Sequence, residues 1–522
     1  MMEPFAVAIL GAGLGTRFKS KRAKLLHSVG GRRFIEHAVR TARALSPQKI
    51  FVIVGHQAEA VIEALSGLST PSGLSGSSAS SVPSAGNRLG FIRQTKPMGT
   101  GHALRCGRKD LESAAPLLLV FYGDTPLLRA ETLLRFLEFH RRSAATASVM
   151  TAVMEDPTGY GRIVRAPGGS VASIVEQKSA SPEQRQIREV NTGIYCFETR
   201  LLFAELERLA PDKITGEYYL TDVIHLLNRR GKKVAAYRIA DPTEVMGVNT
   251  RTELAQADAL LRARKARELM LAGVTIYQPE TVRIDPDVEV GADTVIEPGV
   301  SLLGRTRVRE DCHIGSFSTL TDTEVADNVT IRQFCVIAES KIASGASIGP
   351  FAHLRMGAEV GSEAKIGNFV EVKKSRIGQR SKAQHLTYLG DATVGEDVNV
   401  GAGTITCNYD GEKKHQTVIE DNVFIGSGTE LVAPIRVGKN AYVGAGSTIT
   451  EQVPPDALAI ARSRQINKPG WVKERKKKAK KEPVEARELR EEAMAKQQSG
   501  GSKGVKLGRA APRAKRKQKK SH

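Results

Sequence analysis

Cysteine is scarce in this sequence, and its spacing argues against two kinds of architecture. The 522 residues contain five cysteines, and none of them forms a C-x-x-C pair. Scattered single cysteines favour neither a disulfide framework nor a zinc site. The sequence also has no charged-then-apolar signal segment and no apolar run long enough to cross a membrane. We therefore expect a protein of the reducing cytoplasm, without membrane insertion.

Positive charge is abundant but unevenly distributed. The formal net charge is +21, yet residues 473–522 hold 19 of the 77 Lys and Arg residues and only 6 of the 56 Asp and Glu residues. The excess charge therefore lies mainly in a C-terminal tail, which we interpret as disordered and solubilising. A short charged helix over residues 485–496, and loose contact of the tail with nucleic acid or another acidic surface, remain alternatives.

A six-residue repeat of aliphatic residues dominates the second half of the chain. Between Val290 and Ile449, long stretches have an aliphatic residue at every sixth position, often followed by a small or turn-forming residue. This period is typical of a parallel β-helix, in which three short strands make a coil of about 18 residues. Each coil buries its aliphatic residues only by stacking on its neighbours. The alternative, an antiparallel sandwich with glycine-rich turns, has a two-residue period instead.

Polar interruptions of this repeat indicate where function lies. Arg355 and Lys373 are one predicted coil apart, so we expect them side by side on one wall, as a phosphate clamp or simply as exposed charges. His385 falls in a polar segment where the aliphatic residue of the repeat is missing. Residues 407–416 break the repeat, which predicts a loop that leaves the column and reaches a neighbouring chain.

The N-terminal part has the pattern of a doubly wound α/β domain. Apolar runs begin at Val7, Ile50 and Leu117, and a segment with helical spacing separates the first two. The first run ends in a glycine-rich turn at residues 11–17, where backbone N–H groups can approach a phosphate. Such a turn is also a common structural feature. In open α/β sheets, ligands bind beyond the carboxyl ends of such strands.

We divide the chain into four parts on these patterns. Residues 1–250 form the α/β domain, and residues 251–273 form a linker helix rich in Ala, Leu, Arg and Glu. Residues 274–470 form the β-helix, and residues 471–522 form the basic tail. A Ser- and Gly-rich stretch at residues 66–87 predicts a flexible surface insertion within the first domain.

Short motifs in order along the chain resemble a known family. The motifs of the first domain are the opening glycine turn, Gln94 with Gly99-Thr100, YGD at 122–124, GYGR at 159–162, VEQK at 175–178, NTG at 191–193, GEYY at 216–219 and GVN at 247–249. This series resembles the sugar-1-phosphate nucleotidylyltransferases. Together with HLTYLGD at 385–391, NVGAG at 399–403 and TCNYDG at 406–411, it resembles the bifunctional N-acetylglucosamine-1-phosphate uridylyltransferase/glucosamine-1-phosphate N-acetyltransferase family over roughly residues 5–470.

The resemblance implies a left-handed β-helix and two reactions that make UDP-N-acetylglucosamine for bacterial peptidoglycan and lipopolysaccharide. Acetyl-CoA acetylates glucosamine-1-phosphate, and the acetylated sugar phosphate then attacks the α-phosphorus of UTP and releases pyrophosphate. Mg²⁺ is the implied cofactor, and the implied assembly is a homotrimer with acetyl-transfer sites between chains.

The resemblance also implies roles for individual residues. The implied nucleotide- and sugar-binding residues are Leu10, Gly11, Ala12, Gly13, Arg17, Lys24, Gln94, Gly99, Thr100, Tyr122, Gly123, Gly161, Glu176 and Asn191. The implied Mg²⁺ ligands are Asp124 and Asn249. In the second domain His385 is the implied general base, which takes a proton from the glucosamine amino group. The implied ligands of glucosamine-1-phosphate are Arg355, Lys373, Tyr388 and Asn399. The implied contacts of acetyl-CoA are Ala402, Asn408, Tyr409, Ser427, Ala445 and Arg462.

Two other functions remain open at this point. One is a nucleotidylyltransferase for a different sugar, in which the β-helix only holds a trimer together. The other is a regulatory or binding protein with a degenerate first site. This second alternative is motivated by Leu14 and Ala23, which depart from the family pattern, as does Gly11.

Overall fold

The structure is a computed structural model of the chain, and it describes residues 3–13, 15–67, 89–213, 215–480 and 484–499. Leu14 and nearly all of the expected insertion at residues 66–87 lie outside these residues. No helix of the described ranges is both long and apolar enough to span a membrane. Residues 1–461 and residues 462–522 form two units.

A nine-stranded sheet forms the centre of the first domain. The strands of the domain, including a small hairpin made by the second and third, are β1 (Phe5–Gly11), β2 (Ser28–Val29), β3 (Arg32–Arg33), β4 (Lys49–Val54), β5 (Leu89–Arg93), β6 (Leu117–Tyr122), β7 (Ala147–Val153), β8 (Arg162–Arg165), β9 (Val171–Val175), β10 (Glu189–Glu198) and β11 (Val234–Arg238). The main order is β11-β7-β10-β6-β1-β4-β5, and β8 and β9 join through β10. β10 runs antiparallel to β6 and β7, so the sheet is mixed.

Helices cover both faces of this sheet, as the doubly wound pattern predicts. They are α1 (Phe34–Ala44), α2 (Ala58–Ser66), α3 (Thr100–Cys106), α4 (Arg108–Glu112), α5 (Ala130–Ser143), α6 (Pro182–Arg185), α7 (Thr199–Leu206) and α8 (Thr221–Arg229). Successive side chains of a strand point to opposite faces. Accordingly, Val7 and Ile9 of β1 pack into one hydrophobic core, and Ala6, Ala8 and Leu10 pack into the other.

A long helix, α9 (Arg251–Leu271), connects the sheet to the second domain. It begins at Arg251 because Thr250 and Glu253 form a capping box, in which each side chain accepts from the other residue's backbone N–H. Its Asp258 accepts from the backbone N–H of Gly30 at 2.7 Å. Arg262 pairs with Asp285 at 3.4 Å. The helix therefore contacts both domains through specific polar groups.

Three parallel sheets form the walls of a left-handed β-helix. The first wall contains β12 (Thr275–Ile276), β15 (Val295–Ile296), β18 (His313–Ile314), β21 (Thr330–Ile331), β24 (Ser347–Ile348), β27 (Lys365–Asn368), β30 (Lys382–His385), β33 (Asn399–Val400), β36 (Phe424–Ile425), β39 (Tyr442–Val443) and β41 (Leu458–Ala459). The second contains β13 (Arg283–Ile284), β16 (Ser301–Leu303), β19 (Thr319–Thr321), β22 (Val336–Ala338), β25 (His353–Arg355), β28 (Glu371–Lys373), β31 (Tyr388–Gly390), β34 (Ile405–Cys407), β37 (Glu430–Val432) and β40 (Thr448–Ile449). The third contains β14 (Glu289–Val290), β17 (Arg307–Val308), β20 (Glu324–Val325), β23 (Lys341–Ile342), β26 (Glu359–Val360), β29 (Arg376–Ile377), β32 (Ala392–Val394), β35 (Thr417–Ile419) and β38 (Ile435–Val437).

The aliphatic repeat fills the inside of the column, as predicted. Ile348, Leu354, Ile366 and Val372 are each at most 1% exposed and belong to one continuous core. Paired strands of these walls run parallel, which excludes the antiparallel sandwich. Since a fully buried aliphatic side chain contributes about 1.5–3 kcal/mol, stacking of these residues is the main source of stability for the column.

Coil length differs from the expected uniform value, and this corrects the interpretation of His385. Lys365 pairs with Lys382, so this coil has 17 residues, whereas Ser347 pairs with Lys365 across 18. In the shorter coil, Ala383 takes the inward position and is 1% exposed. No aliphatic position is therefore missing. His385 lies two residues further on, with an exposed side chain.

The second unit contains two helices within the predicted tail. α10 (Trp471–Lys480) is rich in lysine, and α11 (Val484–Ser499) covers the segment in which a short charged helix was the alternative to disorder. The guanidinium of Arg475 lies 5.2 Å from the ring centroid of Trp471, a cation–π contact. Residues 481–483 and 500–522 lie outside the described ranges.

Candidate active sites

One cavity of the first domain gathers most of the residues predicted to bind the nucleotide. It measures about 430 Å³ and lies beyond the carboxyl ends of the parallel neighbours β1 and β6. The predicted residues that line it are Leu10, Gly11, Ala12, Gly13, Arg17, Lys24, Gln94, Gly99, Thr100, Tyr122, Asp124 and Asn249. Gly15 and Thr16 of the predicted glycine-rich turn also line it, together with Leu25, Pro97, Ala103 and Glu217, for which the sequence analysis predicted no role. Gly123 supports the wall, since its N–H donates to the carbonyl of Leu10 at 2.9 Å.

Lys24 joins the two residues predicted to hold a metal ion. Its ammonium group donates to the carboxylate of Asp124 and to Oδ1 of Asn249, the latter at 3.0 Å. Asn249 is fixed in turn because its backbone N–H donates to the capping carboxylate of Glu253 at 2.5 Å. The start of α9 thus places one oxygen of the site, and the end of β6 places the other. Both oxygens converge on a position that holds positive charge.

The turn that carries Gln94, Gly99 and Thr100 is held by residues 217–220. The N–H of Gly101 donates to the carbonyl of Tyr218 at 2.8 Å, and the hydroxyl of Thr100 accepts from the N–H of Leu220 at 3.0 Å. Gly99 has φ +95°, and a Cβ there would approach the carbonyl oxygen of Tyr218 to 2.6 Å. Only glycine fits this position without displacing the backbone behind it.

Gly161, Glu176 and Asn191 form a second group beside the cavity. A Cβ on Gly161 would lie 3.6 Å from Cβ of Asn191 and 3.7 Å from Oε1 of Glu176, so the three residues are close together. Burial raises the pKa of Glu176, although the hydroxyl of Thr221 donates to its Oε1 at 3.1 Å. Burial, followed by the charge of Glu176, also raises the pKa of Tyr122. Tyr122 therefore connects this group to the cavity that it lines.

Two departures from the family pattern have local explanations. The N–H of Ala23 donates to Oε1 of Gln57 at 2.8 Å, a hydrogen bond that proline cannot make. Gln57 thereby restrains the segment that carries Lys24. At Gly11, a Cβ would lie 2.7 Å from Cδ1 of Leu25, so alanine would require this leucine to move. In both cases a contact with a neighbouring residue accounts for the departure, and the cavity keeps all its predicted charged groups.

On the β-helix, Arg355 and Lys373 are direct neighbours, as their spacing predicts. They pair across β25 and β28. Arg355 is oriented by Glu371, which accepts from its Nη2 at 2.6 Å and from its Nε at 2.8 Å. Tyr388 lies next along the wall, opposite Glu371. The predicted phosphate clamp is thus a continuous polar patch on one wall, with Glu371 as a member that the sequence analysis missed.

His385 lies at the neighbouring corner and is held by Asn368. Nδ1 of His385 is 2.9 Å from Oδ1 of Asn368, directly across β27 and β30. Because an amide oxygen only accepts, Nδ1 carries the proton and Nε2 keeps its lone pair. The described residues show no hydrogen bond between His385 and the Arg355–Lys373 patch. The free nitrogen is the feature that a general base requires.

The loop at residues 407–416 folds into a compact hairpin. Asp410 holds it, because its carboxylate accepts from the N–H of Lys413 at 2.7 Å and lies 2.6 Å from Nε2 of His415. These two contacts, with the backbone one first, lower the pKa of Asp410. Contact with a neighbouring chain remains a prediction. Within its own chain the loop returns to the wall.

This return brings a third cation to the phosphate patch. The ammonium groups of Lys414 and Lys373 lie in contact, and this neighbouring like charge lowers the pKa of Lys414. Asn408, also on the loop, donates to Oδ2 of Asp391 at 2.6 Å and approaches the hydroxyl of Tyr388 at 3.5 Å. Two ammonium groups held together repel each other unless an anion lies between them. No periodic signal marks Lys414 in the sequence, because the loop interrupts the repeat.

Small residues form a column that continues from the corner of His385. Ala402, Ser427 and Ala445 occupy equivalent positions two residues after the paired strands β33, β36 and β39. Gly428 donates its N–H to the carbonyl of Ala402 at 2.7 Å, and the N–H of Gly403 lies 3.4 Å from the carbonyl of His385.

The other predicted residues of this half differ in placement. Asn399 pairs with Lys382 on the wall of His385. Tyr409 is 60% exposed on the loop. Arg462 belongs to the second unit.

Two family models match the two domains of the chain separately. Residues 6–241 match the Nucleotidyl transferase family, and residues 416–451 match the Bacterial transferase hexapeptide family, whose model spans six repeats. Three similar relatives are each named Bifunctional protein GlmU. The one from Koribacter versatilis is 48% identical over 484 residues, covering 91% of this chain and 98% of the relative. The one from Solibacter usitatus is 48% identical, covering 92% and 99%, and that from Pelobacter propionicus is 45% identical, covering 91% and 100%.

Proposed function

The chain belongs to the family of bifunctional GlmU proteins, and from that membership we propose that each of its two sites performs one of the family's two reactions. The protein is a bifunctional enzyme of UDP-N-acetylglucosamine synthesis, with an acetyltransferase half and a uridylyltransferase half. Membership decides against the two alternatives, an enzyme for a different sugar and a regulatory protein. The observation that carries the assignment of sites is their separation: each fold holds its own group of cations and polar side chains.

In the first step, the β-helix positions glucosamine-1-phosphate by its charge. Lys373, Lys414 and Arg355 hold the phosphate, because an anion relieves the repulsion between the two lysines. Nε2 of His385 takes a proton from the 2-amino group, and Asn368 keeps the ring in the tautomer that can accept it. The nitrogen then attacks the thioester carbonyl, the C–S bond breaks, and the proton finally resides on the thiol of CoA.

The column of small residues beside His385 offers the path for acetyl-CoA. Ala402, Ser427 and Ala445 leave room along the wall for the pantetheine arm. Asn408 and Tyr409 contact it from the loop, and Asn399 and Tyr388 complete the sugar site. We assign Arg462 to a phosphate of CoA on the basis of the family pattern alone.

In the second step, the cavity of the first domain aligns two anions. Lys24, Arg17 and the backbone donors of the turn after β1 hold the triphosphate of UTP. Gln94, Gly99 and Thr100 meet the uracil and ribose, and Gly161, Glu176 and Asn191 meet the sugar. The phosphate of the sugar attacks the α-phosphorus, and pyrophosphate leaves. Positioning and neutralisation of charge suffice for this reaction.

We also propose Mg²⁺ as the cofactor, with Asp124 and Asn249 as its protein ligands. The residues fit such an ion, because their two oxygens already converge on a positive group, the ammonium of Lys24. Mg²⁺ is usually bound by one or two protein ligands together with water and phosphate oxygens. A larger cluster of His, Cys, Asp and Glu is not required, and none occurs among the described residues. When bound, the ion supplies charge that neutralises the phosphates of UTP.

A homotrimer is the assembly that we propose, and an exposed aromatic column supports it. Phe317, Phe334, Phe351 and Phe369 stack in successive coils, with ring centroids 5.0–5.4 Å apart. Each remains 45–60% exposed on this chain. Contiguous exposed apolar surface of this kind marks an interface. Light scattering should give three times the 56.4 kDa of one chain, whereas a monomer with full acetyltransferase activity would contradict the proposal.

The proposal also includes the boundaries of the domains and the location of the protein in the cell. We keep the division at residues 250, 273 and 470, which is supported by the end of the sheet at β11 and by the position of α9. A cytoplasmic location is supported by the substrates, since acetyl-CoA and UTP are cytoplasmic metabolites.

One experiment tests both assignments. The enzyme is given glucosamine-1-phosphate, acetyl-CoA, UTP and Mg²⁺, and free thiol and pyrophosphate are followed separately. His385→Ala should abolish thiol release and spare pyrophosphate release from N-acetylglucosamine-1-phosphate, whereas Asp124→Ala should do the reverse. His313→Ala on the same wall and the exposed Asp110→Ala serve as controls and should change neither reaction. If either variant of a proposed site residue, while folded, loses both activities, the separation of sites is wrong.

A further inference from the structure

The orientation of the Gln94 side-chain amide is determined by two neighbours. Its Nε2 lies 3.0 Å from the carbonyl oxygen of Gly99 and 3.0 Å from Nδ1 of His102. A carbonyl oxygen only accepts, so the amide nitrogen must be the atom that faces Gly99. Both hydrogens of the amide are then used within the protein. Since Gln94 lines the cavity, Oε1 is the part of the amide left to meet a ligand there.

His102 reinforces this orientation through the state of its ring. To accept from Gln94, Nδ1 must carry a lone pair, which places the proton on Nε2. The Sγ atom of Cys106 lies 3.7 Å from Nδ1 and 3.8 Å from Nε2, so it does not discriminate between the two tautomers, and the contact with Gln94 decides. Burial, and then the charge of Arg105, lower the pKa of His102, and both effects favour the neutral ring. The ring of Tyr218 packs against it, with centroids 6.4 Å apart.

We propose that His102 is a positioning residue that selects the base of the nucleotide, because it holds Gln94 with its oxygen towards the cavity. This inference rests on the proposed function, which takes Gln94 as the residue that meets the pyrimidine. The ring nitrogen at position 3 carries a hydrogen in uracil and a lone pair in cytosine. An amide oxygen accepts from the first and repels the second. A reversed amide would present N–H groups and favour cytosine instead.

His102 and Gly99 contribute to this selection separately. The Gly99 carbonyl belongs to the backbone and is unaffected by side-chain substitutions, so the contribution of His102 can be isolated. Removing the ring acceptor leaves one hydrogen of Gln94 without a partner and weakens the preference for one orientation. The loss of one neutral hydrogen bond should lower the ratio of kcat/KM for UTP to that for CTP about tenfold.

Two variants of the full-length enzyme separate positioning from packing. His102→Leu keeps apolar bulk and has no acceptor, whereas His102→Asn can place its Oδ1 near the position of Nδ1. Pyrophosphate release is measured with N-acetylglucosamine-1-phosphate and either UTP or CTP. We expect the UTP-to-CTP ratio to fall about tenfold in His102→Leu and to stay within about twofold of the wild type in His102→Asn. Cooperative thermal unfolding, compared with that of the wild type, reports whether the first domain of each variant is folded, since thiol release monitors only the β-helix.

The outcomes distinguish this inference from the proposed function. If His102→Leu loses activity equally with UTP and CTP, or if His102→Asn fails to restore the ratio, the positioning role is overturned. If the wild-type enzyme releases no pyrophosphate from UTP, the proposed function itself fails.

Discussion

Replacing Asn368 by alanine should slow acetyl transfer without weakening the binding of the acceptor sugar. The substitution removes the amide oxygen that accepts from Nδ1 of His385 at 2.9 Å. The ring can then rotate, and its proton can move to Nε2, where it blocks the nitrogen that acts as base. Asn368 pairs with His385 across adjacent strands, so it acts on the far side of the ring from the substrate amine.

The size of the effect follows from one neutral hydrogen bond. Such a bond contributes about 0.5–1.5 kcal/mol, or about 2- to 13-fold in rate. His385 is exposed, so water replaces part of the lost interaction, and a fall in kcat of about fivefold is expected. The KM for glucosamine-1-phosphate should change by less than about twofold, because Arg355 and Lys373, the proposed ligands of the phosphate, are unchanged.

Thiol release under saturating acetyl-CoA gives kcat and KM for this variant. Gln333 occupies the same column two coils earlier, since Ile331, Ile348 and Ile366 align through successive strand pairs. Gln333→Ala is therefore a matched control and should behave as the wild type. An Asn368→Ala enzyme with unchanged kcat, or with a loss confined to KM, would refute the tautomer argument.

Three further outcomes follow from contacts elsewhere in the molecule. Lys414→Ala should raise the KM for glucosamine-1-phosphate several-fold at nearly constant kcat, measured by thiol release, since the proposed role of this side chain is to bind the phosphate and not the amine. An unchanged KM would contradict that role. Ala23→Pro should be tolerated because φ of Ala23 is −53°. In thermal unfolding, Gln57→Ala should lower the free energy of unfolding by about 1 kcal/mol in the wild type and by less in the Ala23→Pro background. Equal losses in the two backgrounds would disprove a stabilising role for the bond between Ala23 and Gln57. Burial lowers the pKa of His37 and of His140 to about 4, so the unfolded state binds more protons than the folded state between about pH 6.5 and pH 4. The free energy of unfolding should thus have its full value above pH 6.5 and should fall by up to about 3 kcal/mol per histidine as the pH drops to 4. Urea unfolding at several pH values checks this, and the fall should be smaller in His140→Asn.

The sequence predicted the positions of residues correctly wherever these follow from the repeat period or from the end of a strand. The aliphatic repeat predicted the inner stack, and residues one coil apart, such as Arg355 and Lys373, are indeed adjacent. The apolar runs predicted β1, β4 and β6, and the carboxyl ends of β1 and β6 do border the cavity. These features are local or periodic, so they can be counted along the chain.

Partners of the site residues were harder to predict, for two physical reasons. Coil length is not constant, since the coil from Ser347 to Lys365 has 18 residues and the next, from Lys365 to Lys382, has 17, and a one-residue change moves an outer side chain relative to its neighbours. Asn368 lies 17 residues before His385, so a search at both spacings would have found it. Lys414 and Glu217 approach their sites through tertiary returns of the chain, for which no spacing rule exists.

The β-helix also shows why its polar site residues lie where they do. Asn368, Arg355, Lys373 and His385 are each the last residue of a strand. Each directly precedes a corner residue with positive φ, namely Phe369, Met356, Lys374 and Leu386. At such a corner the chain leaves one wall for the next, so the preceding side chain can extend away from the buried stack. An inward position is filled separately in every coil, by Ile366, Leu354, Val372 and Ala383.

It follows that stability and chemistry are carried by different positions of the same short repeat. A substitution at the corner changes a polar side chain outside the buried stack and leaves the nearest-neighbour stacking of the core intact. A substitution at the inward position does the opposite, since it opens a cavity in the stack. The acetyl-transfer site can therefore be altered at its corners without unfolding the column. For this reason the corner variants Asn368→Ala and His385→Ala are expected to report on catalysis and not on folding.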